Sequence, residues 1–188
     1  MPARPDLLRV LHDPLQYYAP WHQAGAKLQP AQRSALNAVL VQRFALPAYQ
    51  RPAPHQQLLT ERLVAGWSRL PGAAYLMACA KHRHRLMGSR AFVALPRPVH
   101  AFLRLPFATC GPTAVDVEDA DSLRAWGAAY LLAGLREQMP PWLRARAQLC
   151  LTGPAPPAPA PARGSAEPAG PFDITCFWSA WNHAANVS

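Results

Sequence analysis

Apolar residues recur at the three- and four-residue spacing of a helix along most of this chain, and prolines separate the repeats. In the clearest repeat, Leu123, Trp126 and Tyr130 follow an acidic stretch that favours the start of a helix. The same spacing predicts helices over 30–44, 55–68, 71–87, 98–105, 120–139 and 142–151. No stretch alternates between apolar and polar residues as strands do. The pattern therefore predicts an all-α fold, with one compact multi-helix domain.

A proline break separates the second and third of these helices. Pro71 lacks an amide donor and is suited to the first turn of the helix that follows it. On that third helix, Tyr75, Leu76 and Cys79 lie on one side. We expect this side and Leu86 to be buried, and the basic residues of the helix to face outward.

The first 28 residues are interrupted by prolines, and residues 7–11 are apolar enough for one short helical turn. An aromatic cluster of Tyr17, Tyr18 and Trp21 follows Asp13. Aromatic residues with a polar atom are common both in cores and at the centres of protein interfaces. The sequence leaves both interpretations open for this cluster.

A proline- and alanine-rich tract divides the chain near its end. Residues 153–171 contain seven Pro, six Ala and three Gly, a composition that favours a mobile, polyproline-like spacer. Asp173 then precedes a stripe of Ile174, Phe177, Trp178 and Trp181, as expected for a capped amphipathic helix. The sequence therefore predicts a helical domain at 1–152, a linker at 153–171 and a short helix at 172–188. That last helix either packs back on the domain or docks on a partner.

The charge is strongly positive and unevenly distributed. Lys and Arg number 19 against 10 Asp and Glu, and the net charge is +9. Residues 81–104 carry six basic side chains and no acidic one. Such a surface attracts an acidic protein face, anionic lipid or nucleic acid. We favour an acidic protein partner or a solvated surface, because 17 of the 19 basic residues are Arg, which a GC-rich genome also produces.

Cys79, His82 and His84 are the one candidate metal cluster in the sequence. At 100° per residue, His82 lies about 300° around the helix from Cys79 and His84 about 200° beyond it. His84 therefore points away from the other two, whereas a metal needs about four converging ligands. We interpret Cys79 as a buried thiol beside basic surface residues, and expect no metal and no cofactor.

No motif for covalent or acid–base catalysis is evident, and the ten glycines form no phosphate-binding loop. We therefore expect no catalytic residues and no enzyme activity. The four cysteines are expected to be free thiols of a cytosolic protein. The first residues lack the apolar segment of a signal peptide, and no apolar run approaches the roughly 18 residues needed for a membrane span.

Two blocks of sequence carry a family resemblance. The first contains Asp13, Pro14, Leu15, Tyr17 and Pro20. The second block covers residues 67–103. It begins with a structural motif that consists of Trp67, Arg69, Leu70, Pro71, Tyr75, Leu76 and Cys79. In their order and spacing, the blocks resemble the SctK-like OrgA/MxiK family, the cytosolic adaptors of bacterial type III secretion sorting platforms.

The resemblance implies a non-enzymatic adaptor that links the cytosolic domain of the inner-membrane ring protein to the pod scaffold protein. The assembly also recruits the export ATPase. The resemblance further implies that the chain is cytoplasmic and peripheral at the cytosolic face of the inner membrane. We expect partner contacts in the 13–21 segment and the basic 81–104 face, with the C-terminal region serving another partner. The candidate contact residues are Asp13, Tyr17, Tyr18, Trp21, Lys81, Arg83, Arg85 and Arg90.

Two alternatives belong to other functional classes. A small basic regulator would bind DNA or RNA with steep salt dependence, but no helix-turn-helix signature is evident around the break at Pro71. A membrane-surface protein would use the stripe of Phe177, Trp178 and Trp181, but no Lys or Arg flanks that stripe.

Overall fold

The computed structural model describes residues 4–25, 27–107, 119–152 and 171–186. These ranges are mainly helical and contain no strand, so the predicted all-α class is confirmed. The α-helices in chain order are α1 (Arg4–His12), α2 (Ala19–Gly25), α3 (Pro30–Arg43), α4 (Pro54–Ala65), α5 (Leu70–Lys81), α6 (Arg83–Met87), α7 (Arg90–Val93), α8 (Arg97–Leu103), α9 (Ala120–Gly134), α10 (Pro141–Thr152) and α11 (Ile174–His183). Short 3₁₀ turns occupy Pro14–Gln16, Trp67–Arg69 and Ala184–Asn186.

Prolines begin several helices, as expected for the helix predicted over 30–44. Pro30, Pro54 and Pro141 are the first residues of α3, α4 and α10, where the missing amide hydrogen costs no helical bond. Three predicted helices were too long, and the first of them, expected over 55–68, ends at Ala65. The helix expected over 71–87 is divided at His82 into α5 and α6, and the helix expected over 120–139 ends at Gly134.

The described residues form two compact units. Unit 1 contains residues 4–68 and 135–152, and unit 2 contains residues 69–134 and 171–186 apart from the undescribed gap. Most of the predicted linker over 153–171 lies outside the described residues. The division of the chain into 1–152, 153–171 and 172–188 therefore stays a prediction.

The core of unit 1 joins its N-terminal segment to α3 and α10. Its buried members are Leu15, Tyr17, Tyr18, Leu40, Leu46 and Leu149. Trp142 is fully buried, and its indole N–H donates to the Gln50 carbonyl oxygen at 2.9 Å. This bond satisfies a polar group that burial would otherwise leave without a partner.

A buried arginine connects three parts of unit 1. The Arg146 side chain is 3% exposed, and its guanidinium donates to the carbonyl oxygens of Pro47 at 2.8 Å, Trp142 at 3.0 Å and Leu11 at 3.1 Å. Burial lowers the pKa of Arg146. The interaction ties α10 to the end of α1 and to the segment after α3.

Helix α5 is the centre of unit 2, since every residue from Ala73 to Lys81 is buried. Helix α9 packs against it at Gly127, where an added Cβ would overlap the Ala74 carbonyl. Only glycine permits so close an approach of two helix backbones. Helix α11 packs against α5 as well, with Cys176, Phe177 and Ala180 fully buried.

Across the part of the chain that the structure describes, no helix combines the length and apolar character required to cross a bilayer.

Candidate partner-binding surfaces

The carboxylate of Asp13 is engaged inside unit 1. It accepts hydrogen bonds from Arg33 Nη2 at 2.8 and 3.0 Å and from Asn37 Nδ2 at 2.8 Å. Asn37 in turn accepts from the backbone N–H of Leu15 at 3.0 Å. These bonds attach the residues after α1 to the side of α3, which is a structural role that the sequence did not reveal.

The aromatic cluster divides between core and surface. Tyr17 and Tyr18 are both buried. The ring centroid of Tyr17 lies 5.4 Å from that of Trp67, and the ring centroid of Tyr18 lies 5.4 Å from that of Phe44. Trp21 is 37% exposed. As a surface for a partner, the segment 13–21 therefore offers Trp21 rather than the two tyrosines. Its role in binding stays a prediction.

The structural motif is used for packing in and beside α5. Leu70, Leu76 and Cys79 are fully buried, and Tyr75 is 9% exposed. Trp67 and Arg69 are half-buried in the 3₁₀ turn before α5, and Pro71 is exposed in its first turn. The predicted burial of Tyr75, Leu76, Cys79 and Leu86 is confirmed.

The expectation that the basic residues of this helix face outward is wrong for Lys81. Lys81 is 6% exposed, and its ammonium contacts a carboxylate oxygen of Asp173 at 2.8 Å. Burial acts to lower the pKa of Lys81, but the hydrogen bond to Asp173 and the electrostatic attraction of Asp173 and neighbouring groups together outweigh it, and the pKa is raised. The pairing is possible because the segment before α11 returns to α5, bringing together residues 92 positions apart.

Arg83 also has an internal role, because its Nη1 donates to the carbonyl oxygens of Leu103 at 3.3 Å and Leu105 at 2.9 Å. These acceptors belong to the end of α8 and the residues after it, where helical carbonyls lack intrahelical donors. Arg85 is exposed, as expected for the basic residues of this helix, and Arg90, which lies beyond the predicted helix, is exposed as well. The predicted basic face thus contains one buried ion pair, one helix-capping arginine and exposed arginines.

The exposed part of this region is built from two short helices and the start of α8. It carries arginines and two aliphatic side chains, Met87 at 60% and Val93 at 83% exposure. We call this set the arginine–aliphatic surface; it consists of Arg85, Met87, Arg90, Val93 and Arg97.

The thiol and imidazoles near α5 are placed for packing. Burial raises the pKa of the Cys79 thiol to about 12, so it is protonated at neutral pH. His82 is buried edge-on against Trp126 with 4.5 Å between the ring centroids, and burial, followed by the charge of Arg85, lowers its pKa. His84 is exposed. Among the described residues, no group of three or more His, Cys, Asp or Glu side chains is arranged to hold a metal ion.

The segment that leads into α11 is attached to unit 2 by several contacts. The Tyr130 hydroxyl accepts from the backbone N–H of Asp173 at 3.1 Å, and the Phe172 ring lies against Gly134, where an added Cβ would overlap it. The Asp173 carboxylate accepts from the N–H of Cys176 at 2.9 Å, which confirms the predicted helix cap. In this structure α11 is packed in unit 2 rather than unpartnered.

Comparison with known proteins places the chain in a family. The family model described as bacterial type III secretion apparatus protein (OrgA_MxiK) matches residues 7–186. The chain belongs to the OrgA/MxiK family. It is also similar to the oxygen-regulated invasion protein OrgA of three Salmonella typhimurium strains, with 33% identity over 100 residues that cover 52% of this chain and 50% of OrgA. The chain thus spans about half the length of the curated relatives it matches. No solved structure matches it significantly.

Sequence reasoning missed two buried cations in this OrgA/MxiK chain. Arg146 was not singled out, although it follows Trp142 by four residues and Leu143 by three, on the buried side of α10. That spacing was a usable signal. The pairing of Lys81 with Asp173 had no local signal, because the two residues are distant in sequence.

Proposed function

We propose that this chain is a non-enzymatic adaptor of a type III secretion sorting platform. In this role it links the cytosolic domain of the inner-membrane ring protein to the pod scaffold protein, and through them contributes to recruiting the export ATPase. The observation that carries the proposal is the family match over residues 7–186, which includes helices of both units. The family is one of secretion apparatus proteins, so its members have partners within that apparatus.

The fate of the chemically versatile side chains supports a binding role over catalysis. Burial raises the pKa of both the Cys79 and Cys150 thiols to about 12, which keeps them protonated and unreactive at neutral pH. Asp13 and Asp173 are engaged in ion pairs that connect helices. The exposed side chains of the described residues include charged groups and large apolar groups, both of which recognise other proteins.

We assign the exposed arginines of the basic face to the ring protein and the C-terminal region to the pod scaffold. Arg85 and Arg90 are exposed, and reversing the charge of both together with Arg83 is expected to weaken ring association. Since Arg83 also caps the end of α8, its reversal has an added structural cost. Trp21 is a further exposed candidate on unit 1.

The test is co-expression of the chain with the ring protein's cytosolic domain and the pod scaffold protein. A tag on the ring domain should retain the pod scaffold only when this chain is present. In cell fractions, the chain should accompany the inner membrane only when the ring protein is made. Direct retention of the pod scaffold without the chain, or no association of the chain with either protein, would contradict the adaptor role.

A regulator that binds nucleic acid is the competing candidate, and the family match supports the adaptor over it. Tight, steeply salt-dependent binding of the purified chain to a DNA or RNA duplex would favour the regulator instead.

A further inference from the structure

The arginine–aliphatic surface of unit 2 is held in a fixed local shape. Leu86 is 1% exposed and anchors α6, while the Phe92 ring of α7 lies edge-on to His100 of α8 with 4.5 Å between centroids. Between them, the Ser89 hydroxyl donates to the Leu86 carbonyl oxygen at 2.9 Å. These contacts fix the sides of α6 and α7 that face the unit. The side chains on their other sides are exposed to solvent.

This surface is positive without compensating acidic residues in its own stretch of chain. No Asp or Glu occurs between Glu61 and Asp116. The ion pairs described in unit 2 neutralise Lys81 and Arg124 instead. Among the described residues, Arg90 and Arg97 make no ion pair, so their charges act on whatever approaches from solvent.

Two exposed large aliphatic side chains occur in the same stretch of chain as these arginines. Val93 is the most exposed of the large apolar side chains in the described residues, at 83%, and Met87 is 60% exposed. Phosphate backbones neutralise arginines but gain little from covering a valine and a methionine. Two aliphatic side chains on helices of four and five residues also give too little apolar area for firm insertion into a lipid surface. A protein surface uses both kinds of group, because interfaces combine an apolar centre with a charged rim.

We propose that the arginine–aliphatic surface binds an acidic amphipathic segment of a partner protein, whose aliphatic or aromatic side chain covers Met87 and Val93 while its carboxylates face Arg90 and Arg97. The inference rests on the proposed adaptor function and deepens it by stating what the partner surface must look like. Lys81 and Arg83 lie outside this binding surface because their charged groups are used within unit 2.

Two variants of the full chain separate the charged and the apolar contributions. Arg90→Glu with Arg97→Glu reverses charge, and Met87→Ser with Val93→Ser removes the aliphatic groups without changing charge. All four residues are exposed, so both variants should keep the helical circular dichroism and melting temperature of the parent chain. Lys27→Glu with Arg51→Glu is the matched control, because it makes the same charge change at exposed positions of unit 1.

The measurement is the affinity of each variant for the ring protein's cytosolic domain and, separately, for the pod scaffold protein. We expect the Arg90/Arg97 variant to lose about tenfold or more in affinity for the ring protein's cytosolic domain, along with the salt dependence of that association. The Met87/Val93 variant should lose about threefold to tenfold for the same partner through faster dissociation, with its salt dependence unchanged. The control should bind like the parent chain.

The outcomes separate this inference from the adaptor function. If the parent chain binds both proteins and neither variant weakens either association, the surface assignment is wrong and the adaptor function stands. If the parent chain binds neither protein, the adaptor function fails and the inference fails with it. Binding of the parent chain to a 20-base-pair DNA duplex or to phosphatidylglycerol vesicles that the Arg90/Arg97 variant loses, without any protein association, would replace the proposed partner class.

Discussion

Among the described residues, each unit of the protein buries one Lys or Arg side chain, and the two units stabilise that charge differently. In unit 2, Lys81 meets the carboxylate of Asp173 at 2.8 Å. In unit 1, Arg146 is surrounded by three backbone carbonyl oxygens at 2.8 to 3.1 Å. An ammonium is a compact charge that one carboxylate can neutralise, whereas a guanidinium spreads its charge over several donors that carbonyl dipoles can satisfy.

The difference separates two uses of a buried cation. Lys81 and Asp173 stabilise each other, so each is costly to bury without the other. Arg146 instead supplies hydrogen bonds to carbonyls at the end of α1 and after α3 that have no helical donor. Unit 2 is therefore stabilised by the charges of Lys81 and Asp173. Unit 1 is stabilised by the arrangement of the N–H donors of the Arg146 guanidinium.

Replacing Arg146 with Met should have the largest effect, about 3–4 kcal/mol of unfolding free energy. The carbonyl oxygens of Pro47 and Leu11 would each lose a buried donor, at roughly 1–3 kcal/mol apiece. Chemical denaturation followed by tryptophan fluorescence measures the loss. Arg146→Lys is the control. It keeps the positive charge but not the several N–H donors of the guanidinium, so it should recover only part of the lost unfolding free energy. Full recovery by Lys would show that charge rather than donor geometry matters here.

Asp173→Asn should cost about 2–3 kcal/mol in the same experiment. Asparagine retains an oxygen that can cap α11, but Lys81 would keep its charge without a carboxylate partner. Lys81→Met should lessen this cost when combined with Asp173→Asn, because it removes the unpaired ammonium. Additive losses in the double variant would mean that the two side chains do not stabilise each other.

Tyr130→Phe should cost less, about 1 kcal/mol. The change removes the hydroxyl that accepts from the Asp173 backbone N–H but keeps the ring against Phe172. It therefore asks whether Asp173 is positioned by its backbone or by the charge of Lys81. Hydrogen exchange of the Asp173 and Cys176 amides should speed up in this variant. If the unfolding free energy fell as much as in Asp173→Asn, the backbone contact would be the main interaction that positions Asp173.

The pH dependence should give the smallest effect over the range in which the fold persists. Burial acts to raise the pKa of Asp173, but the hydrogen bonds from Lys81 and from the backbone N–H groups of Cys176 and Thr175, together with the Lys81 charge, outweigh it, and the pKa is lowered. A lowered folded pKa means that the stabilisation is present above about pH 4, the unfolded value, and is lost as pH falls through the folded value. Melting temperatures of the parent chain and Asp173→Asn should therefore converge below pH 4. A constant difference down to pH 3 would refute the assignment.

Lys81 gives the opposite sign. Its pKa is raised, so its contribution is present below about pH 10.4 and is lost as pH rises through the folded value.

The helices were predictable from sequence to the extent that their signals are local. Pro30 and Pro141 mark helix starts, and Asp173 marks the start of α11. The break at His82 was missed because neither Pro nor Gly occurs there, and the end of α9 was placed late although Gly134 is its last residue. Helix α2 was missed because seven residues within a proline-rich segment give little periodicity.

The candidate surfaces were predictable only in part, because burial depends on contacts distant in sequence. Six basic residues without an acid between 81 and 104 indicated a region of positive charge, in which Arg85, Arg90 and Arg97 are exposed. The sequence does not show that Asp173 would cover Lys81 or that Arg83 would cap α8. The exposure of Val93 could not be predicted, because a single valine in a short helix is normally expected to be buried.

Asp173 has two partners that must be met at once, the Cys176 amide that opens α11 and the ammonium of Lys81. Sliding this segment by one position would abandon both contacts. When related sequences are aligned, insertions and deletions should thus be absent between positions 173 and 181.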